Sequence, residues 1–149
     1  TVCLRYFNVF GPRQDPGSPY SAVIPLFIGA MLSGKQPVIF GDGEQSRDFV
    51  FVKDIVLGNL LAADADGTAG RVINLATGEQ ASLLELIAQL NGMLGLSVEP
   101  EHQPAREGDV RHSLADISRA KDFLGYQPNF SLAEGLQQSI DYYRTLVDR

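Results

Sequence analysis

One cysteine, Cys3, supplies all the thiol in this chain of 149 residues. That excludes an intramolecular disulfide and any cysteine-based zinc site. Its place in an apolar stretch predicts a small buried side chain. No apolar run approaches the ~18 residues of a membrane span, and no signal peptide is recognisable. The expectation is therefore a cytoplasmic protein with no membrane partner. Positive charge is also scarce. Twelve Lys and Arg stand against 18 Asp and Glu, a net charge of −6, so there is no global basic footprint for nucleic acid. An acidic chain that holds an anion must do so with locally placed arginines. Two nucleotide signatures are missing, the G-x-G-x-x-G turn and the P-loop. A Tyr-x-x-x-Lys pair is missing as well: Tyr6, Tyr20, Tyr126, Tyr142 and Tyr143 all lack a lysine four positions later. His102 and His112 lie in irregular stretches without a paired ligand motif. They read as solvated or structurally bonded, and no metal site is expected.

What is present is ordinary for one soluble α/β domain: 44% apolar and 20% charged residues, enough for a single core. The most informative stretch is 41–54, GDGEQSRDFVFVKD. Gly41 and Gly43 suit a turn that needs φ > 0. Phe49 to Val52 reads as a short, largely buried strand. Between them stands Arg47, at a strand entrance that suits bidentate binding of phosphate or carboxylate. The plain alternative is a surface pair between Arg47 and Asp48, worth little.

The chain opens, without a methionine, inside what reads as a buried strand over 2–9, which suggests a fragment or the tail of a larger enzyme. Gly11-Pro12 ends that strand, and 13–19 form a polar loop. A helix is expected over 21–32 with Pro25 in its first turn and Gly34 as its stop. A strand at Val38-Ile39-Phe40 follows. A helix over 53–65 should face inward with Ile55, Leu57, Leu60, Leu61 and Ala62, with Asp54 as its cap. Residues 71–76 read as a buried strand. Ser82 with Glu85, and Ser131 with Glu134, are capping boxes opening two further helices. The first buries Leu83, Leu86, Ile87, Leu90 and Leu94; the second turns Leu136, Ile140, Tyr143 and Val147 inward. Between them come a strand at 98–101, a charged loop over 104–113 and a short helix from Asp116 to Leu124.

Chemistry concentrates in three polar groups: Asn8 with Arg13, the loop around Arg47, and the loop 106–113. Each lies at a strand end or in a Pro/Gly-rich loop, where sites usually sit. Arg47 and Arg106 could clamp a diphosphate from two sides. Asp109 is of the type that accepts hydrogen bonds from a ribose.

The runs RYFNVFGPRQ at 5–14, Ile24-Pro25, 41–54 and REGDVRHS at 106–113 together resemble the extended short-chain dehydrogenases/reductases that act on nucleotide sugars. More narrowly, the chain is similar to NAD-dependent UDP-hexose 4-epimerases, the UDP-N-acetylglucosamine 4-epimerases above all. The resemblance implies an α/β fold, the C-terminal portion of an extended short-chain dehydrogenase/reductase. One or two strands would join the Rossmann sheet, and a small α/β substrate domain would make up the rest. The N-terminal Rossmann half, with its Gly-rich turn and Tyr-x-x-x-Lys pair, would lie upstream. Residues 1–149 would thus be a substrate-binding portion without catalytic residues of its own. In the family's chemistry that upstream tyrosine takes the sugar O4 proton while NAD takes hydride from C4; the 4-keto sugar then turns over and is reduced on its other face.

Residue by residue, the resemblance implies that Asn8 bonds the sugar diphosphate and that Tyr6 and Phe7 line the nicotinamide side. Val38 and Phe40 would recognise uracil through their backbone, Arg47 and Arg106 would hold the diphosphate, and Asp109 the ribose. Ser113 matches the position whose size governs room for a C2 N-acetyl group, and a serine leaves that room. NAD is expected of the whole enzyme but not as a tight ligand of this segment. Exposed Rossmann-side strands predict a homo-oligomer. Two alternatives remain: a non-catalytic remnant that binds nucleotide sugar or only self-associates, and part of a nucleotide-sugar dehydratase or decarboxylase.

Overall fold

The computed structural model describes residues 1–15, 17 and 23–147, with the side chain of Val147 outside that set. The expected beginning of the first helix, at residue 21, therefore lies outside the described residues. The expected strand over 2–9 is two strands, β1 (Cys3–Tyr6) and β2 (Asn8–Phe10), broken at Phe7. The break lets one extended segment serve two sheets. β1 pairs in parallel with β6 (Val72–Leu75), and β2 pairs in parallel with β5 (Phe49–Phe51).

Two further sheets carry the loops. β3 (Val38–Phe40) runs parallel to β8 (Glu101–Gln103). β4 (Ser46–Arg47) sits between β7 (Ala81–Ser82), antiparallel, and β9 (His112–Ser113), parallel. The strand expected at 98–101 is displaced towards 103. Val98 instead exchanges hydrogen bonds with the Asn91 side chain, 3.0 Å each way, which closes the turn after a helix.

The helices are α1 (Val23–Leu32), α2 (Val52–Asp64), α3 (Leu83–Leu94), α4 (Ser118–Leu124) and α5 (Leu132–Val147). None of the helices among the described residues is long and apolar enough to cross a membrane. Both capping boxes form. Ser82 Oγ accepts from Glu85 N while Glu85 returns a bond from Ser82 N, and Ser131 and Glu134 do the same.

Two apolar clusters result. One gathers Phe10, Phe27, Ile28, Phe51, Leu86 and Leu136 between α1, α3 and α5. The other packs Ile55, Ile73, Leu75, Ala120 and Tyr126 between the β1–β6 pair, α2 and α4.

Further expectations are overturned: the first strand is not buried, with Arg5 and Tyr6 exposed. Cys3 is exposed: side chains alternate along a strand, so Leu4 packs against the second cluster and Cys3 faces away. Leu60 is 62% exposed, because α2 buries the face of Ile55, Gly58 and Ala62 and turns Val56 and Leu60 outward. Asp54 does not cap α2. Phe51 stands at the cap without a side-chain bond, and the buried Asp54 carboxylate accepts from Asn129 N (2.8 Å) and Phe130 N (3.3 Å), tying down the entry to α5.

Candidate functional site

The 41–45 turn is where the site begins. Gly41 and Gly43 have φ of +90° and +86°, the left-handed region that glycine enters at little steric cost. At Gly43 space also decides, since a Cβ there would lie 2.8 Å from Leu84 Cγ. Asp42 Oδ1 accepts from Glu44 N at 3.0 Å, and the Gln45 side chain reaches back to donate from Nε2 to Phe40 O at 2.7 Å. The turn thereby fixes β3 against β4. Gln45 is 7% exposed, and its Oε1 finds no donor among the described residues.

Asp48 is the anchor beneath. It is wholly buried and is not the partner of Arg47. Its Oδ1 accepts from Thr77 N (2.9 Å) and Thr77 Oγ1 (2.6 Å), and its Oδ2 from Gly78 N (2.9 Å) and Ala115 N (3.4 Å). Its backbone N–H donates to Ser113 O at 2.9 Å, and its carbonyl accepts from both the backbone N–H and the Nδ2 of Asn8, 3.2 Å each. One residue thus joins β2, the β6–β7 turn and β9.

Above this anchor lies a cleft of about 840 Å³. Asn8, Val38, Phe40, Arg47, Arg106 and Asp109 all line it, together with Gln45, Phe49, Leu83 and residues of α1. The two arginines come from loops distant in the chain and share this one space. Arg47 Nη2 donates to Asp109 Oδ1 at 2.5 Å, and Arg47 Nη1 to Ser46 O at 2.9 Å. The Arg106 guanidinium stacks 3.7 Å from the Phe40 ring centroid, a cation–π contact. A second ion pair, Arg111 to Asp42 at 2.7 Å, clips the 106–113 loop onto the glycine turn. That pairing holds the Asp42 carboxyl below its usual range and the Arg111 guanidinium above its own.

Ser113, Tyr6 and Phe7 are placed elsewhere. Ser113 is half-buried on β9, in register with Arg47, but does not line the cleft. Tyr6 is 46% exposed and donates its hydroxyl to Asn59 Oδ1 on α2 at 2.8 Å. Phe7 packs against the second apolar cluster. Arg13, with φ of +67°, also lies outside the cleft lining. Both histidines are bonded: His102 Nδ1 donates to Gly41 O at 2.7 Å, and His112 Nδ1 lies 2.8 Å from the buried Ser46 hydroxyl.

Two helix N-termini among the described residues, those of α2 and α3, are poor seats for a pyrophosphate. β5 passes into α2 at Phe51 with no glycine turn between them, and Asp54 occupies the first turn of the helix. At α3 the first amides are engaged by Ser82 and a carboxylate, Glu85. A pyrophosphate needs free amides at a helix N-terminus and no competing negative charge.

Comparison with known proteins agrees with this architecture. The profile of the NAD dependent epimerase/dehydratase family matches residues 1–76. A UDP-glucose 4-epimerase of Mycolicibacterium smegmatis is 42% identical over 137 residues, covering 92% of this chain and 43% of its own length. Among solved structures, a UDP-N-acetylglucosamine 4-epimerase of Methanobrevibacter ruminantium, in complex with UDP-N-acetylmuramic acid, superposes with a TM-score of 0.91 at 44% identity, over 97% of this chain and 46% of that one. A UDP-glucuronic acid 4-epimerase of Bacillus cereus, in complex with UDP-glucuronic acid and NAD, does so with a TM-score of 0.90 at 38% identity, over 97% and 45%. The chain therefore spans a little under half the length of the relatives it matches. With identity above 40% across nearly all its residues, the chain belongs to the NAD dependent epimerase/dehydratase family.

Proposed function

We propose that this chain is the substrate-holding portion of a UDP-hexose 4-epimerase, one that interconverts UDP-GlcNAc and UDP-GalNAc, or UDP-Glc and UDP-Gal. One observation carries the reading: Arg47 and Arg106 enter a single cleft together with Asn8, Asp109 and the β3 strand. Two guanidiniums suit a diphosphate, a carboxylate suits a ribose diol, and β3 at Val38 and Phe40, which line the same cleft, suits a pyrimidine base. Asn8 is held in orientation by the Asp48 carbonyl.

Ser113, small and in register with Arg47, extends the reading to an N-acetylated hexose, and Tyr6 and Phe7 to the nicotinamide side. In this reading the dinucleotide site and the catalytic tyrosine belong to the part of the enzyme that relatives carry outside the matched segment. The 149 residues then neither hold NAD tightly nor turn over substrate alone. Among the described residues β1 pairs only with β6, and this open edge, with Tyr6, Val56 and Leu60 exposed, favours self-association.

Titration calorimetry tests the site. UDP and UDP-GlcNAc should bind, and Arg47→Met or Arg106→Met should each weaken binding at least ~10-fold, the scale of a lost charge-assisted contact. Equal affinity of the wild type and both variants would refute the assignment. Ser113→Tyr should weaken UDP-GlcNAc while sparing UDP-Glc. Sedimentation showing a clean monomer at micromolar concentration would remove the self-association.

A further inference from the structure

The cleft carries its own counter-charges. Two arginines line it, and so do two carboxylates, Glu107 and Asp109, so its formal charge cancels. The pairing is specific. Asp109 Oδ1 lies 2.5 Å from Arg47 Nη2, with Arg47 only 16% exposed and Asp109 41%. Glu107 is exposed and has no ion pair among the described residues. Arg106 and Asp109 are the two ends of one tight turn, closed by Asp109 N donating to Arg106 O at 3.3 Å, with Gly108 at φ +82°. Arg106 is meanwhile parked on Phe40. The two guanidiniums proposed above for the diphosphate are thus both engaged, one by an internal anion and one by an aromatic face. They are coupled, because the same turn holds Arg106 and the anion on Arg47.

Resting on the reading of the cleft as a nucleotide-sugar site, we propose that Asp109 is an exchangeable internal anion and so sets ligand specificity. An entering diphosphate takes its place on Arg47, and the released carboxylate needs a new donor, which a ribose diol supplies. Displacing Asp109 also moves the turn and lifts Arg106 from Phe40, freeing the second guanidinium and the ring beneath it. A ligand that offers a diphosphate alone leaves Asp109 as an unpaired charge beside a new anion. One that offers diphosphate and diol together satisfies every group. The exchange makes the cleft discriminate ribonucleoside diphosphates from inorganic diphosphate, a selectivity that two free arginines would not have.

The test is a calorimetric comparison of inorganic pyrophosphate and UDP on the wild-type chain, Asp109→Asn, Asp109→Ala and Glu107→Gln. Asp109 is half-exposed in a loop, and thermal unfolding of each variant checks that the fold is retained. Removing the competitor should tighten pyrophosphate about three- to tenfold in both Asp109 variants, on the scale of a partly exposed ion pair. UDP, which loses its ribose acceptor, should weaken in the same proteins. Glu107→Gln removes the same charge from the same cleft without touching Arg47, and should change pyrophosphate affinity less than twofold. Pyrophosphate binding unchanged or weakened by Asp109→Asn, or tightened as much by Glu107→Gln, overturns the exchange and leaves the site assignment intact. A wild-type chain that binds neither ligand overturns both.

Discussion

Replacing Asp48 by Asn tests whether a buried carboxylate holds the site's elements together. Both oxygens are in use: Oδ1 serves two donors of Thr77, and Oδ2 serves Gly78 N and Ala115 N. An asparagine keeps one acceptor oxygen and points an NH2 at the other pair. In either amide orientation at least one backbone N–H then faces a donor in a fully buried place. An orphaned buried donor costs roughly 1–3 kcal/mol, and losing the charge on the remaining bonds adds to that, so about 3–5 kcal/mol is the expected loss. Against a total of about 5–15 kcal/mol for a typical domain, that is a large fraction. With a urea m-value of about 2 kcal/mol/M, the unfolding midpoint should fall by about 2 M. Thr77→Val, which removes one of the four donors, should cost less and be strongly non-additive with Asp48→Asn. A midpoint shift below about 0.5 M at unchanged m would refute the anchor role.

Two further outcomes follow from single positions. Gly58→Ala should gain up to ~1 kcal/mol by helix propensity, but its Cβ would lie 2.5 Å and 2.8 Å from the two methyls of Leu75, which is wholly buried. Overpacking should prevail by about 1–3 kcal/mol, and a raised melting temperature would contradict it. Burial pushes the Asp54 carboxyl above its usual pKa of 3.8; the nearby Glu134 adds to the rise, and the amides of Asn129 and Phe130 partly oppose it. A carboxyl raised in the folded state binds its proton more tightly there than when unfolded. Its stabilising contribution is therefore full below the unfolded value and is lost as pH rises through the folded one. The stability of the wild type relative to Asp54→Asn, read by urea unfolding between pH 7 and 4, should thus increase towards acid. A difference that shrinks towards acid would be the wrong sign.

The helices were the most legible part of the chain. α3 and α5 each announce themselves by a Ser-x-x-Glu box followed by apolar residues at helical spacing, and both boxes close as read. Strands were less so, because the physics that places them is not local. The β1–β2 break at Phe7 is invisible in the run LRYFNVF, since it depends on β6 and β5 arriving from far along the chain. The pairing of β4 with β7 and β9 involves two residues per strand, too short for any period. Leu60 faces outward for a related reason: α2 carries leucines on more than one face, and which face is buried depends on Leu75 lying against Gly58.

The site shows the same limit in sharper form. Arginines at 47 and 106 stand out in the sequence as charges in turn-rich loops, but the identity of their partners does not. Arg47 is followed directly by Asp48, and proximity suggests a pair. The chain instead changes sheet at this point, between β4 and β5, so the two side chains part. Arg47 goes up into the cleft to meet Asp109, and Asp48 goes down to gather the Thr77–Gly78 turn. A signal for Asp48 was available in retrospect. A carboxylate between a cleft-facing arginine and three wholly apolar strand residues, Phe49, Val50 and Phe51, has no water to reach. A buried carboxylate without solvent must find amide donors or lose its charge. Three of the donors lie in the Thr77–Gly78 turn and the fourth is Ala115 N, much further along, so pattern can establish the need for them, and only the fold can say where the need is met.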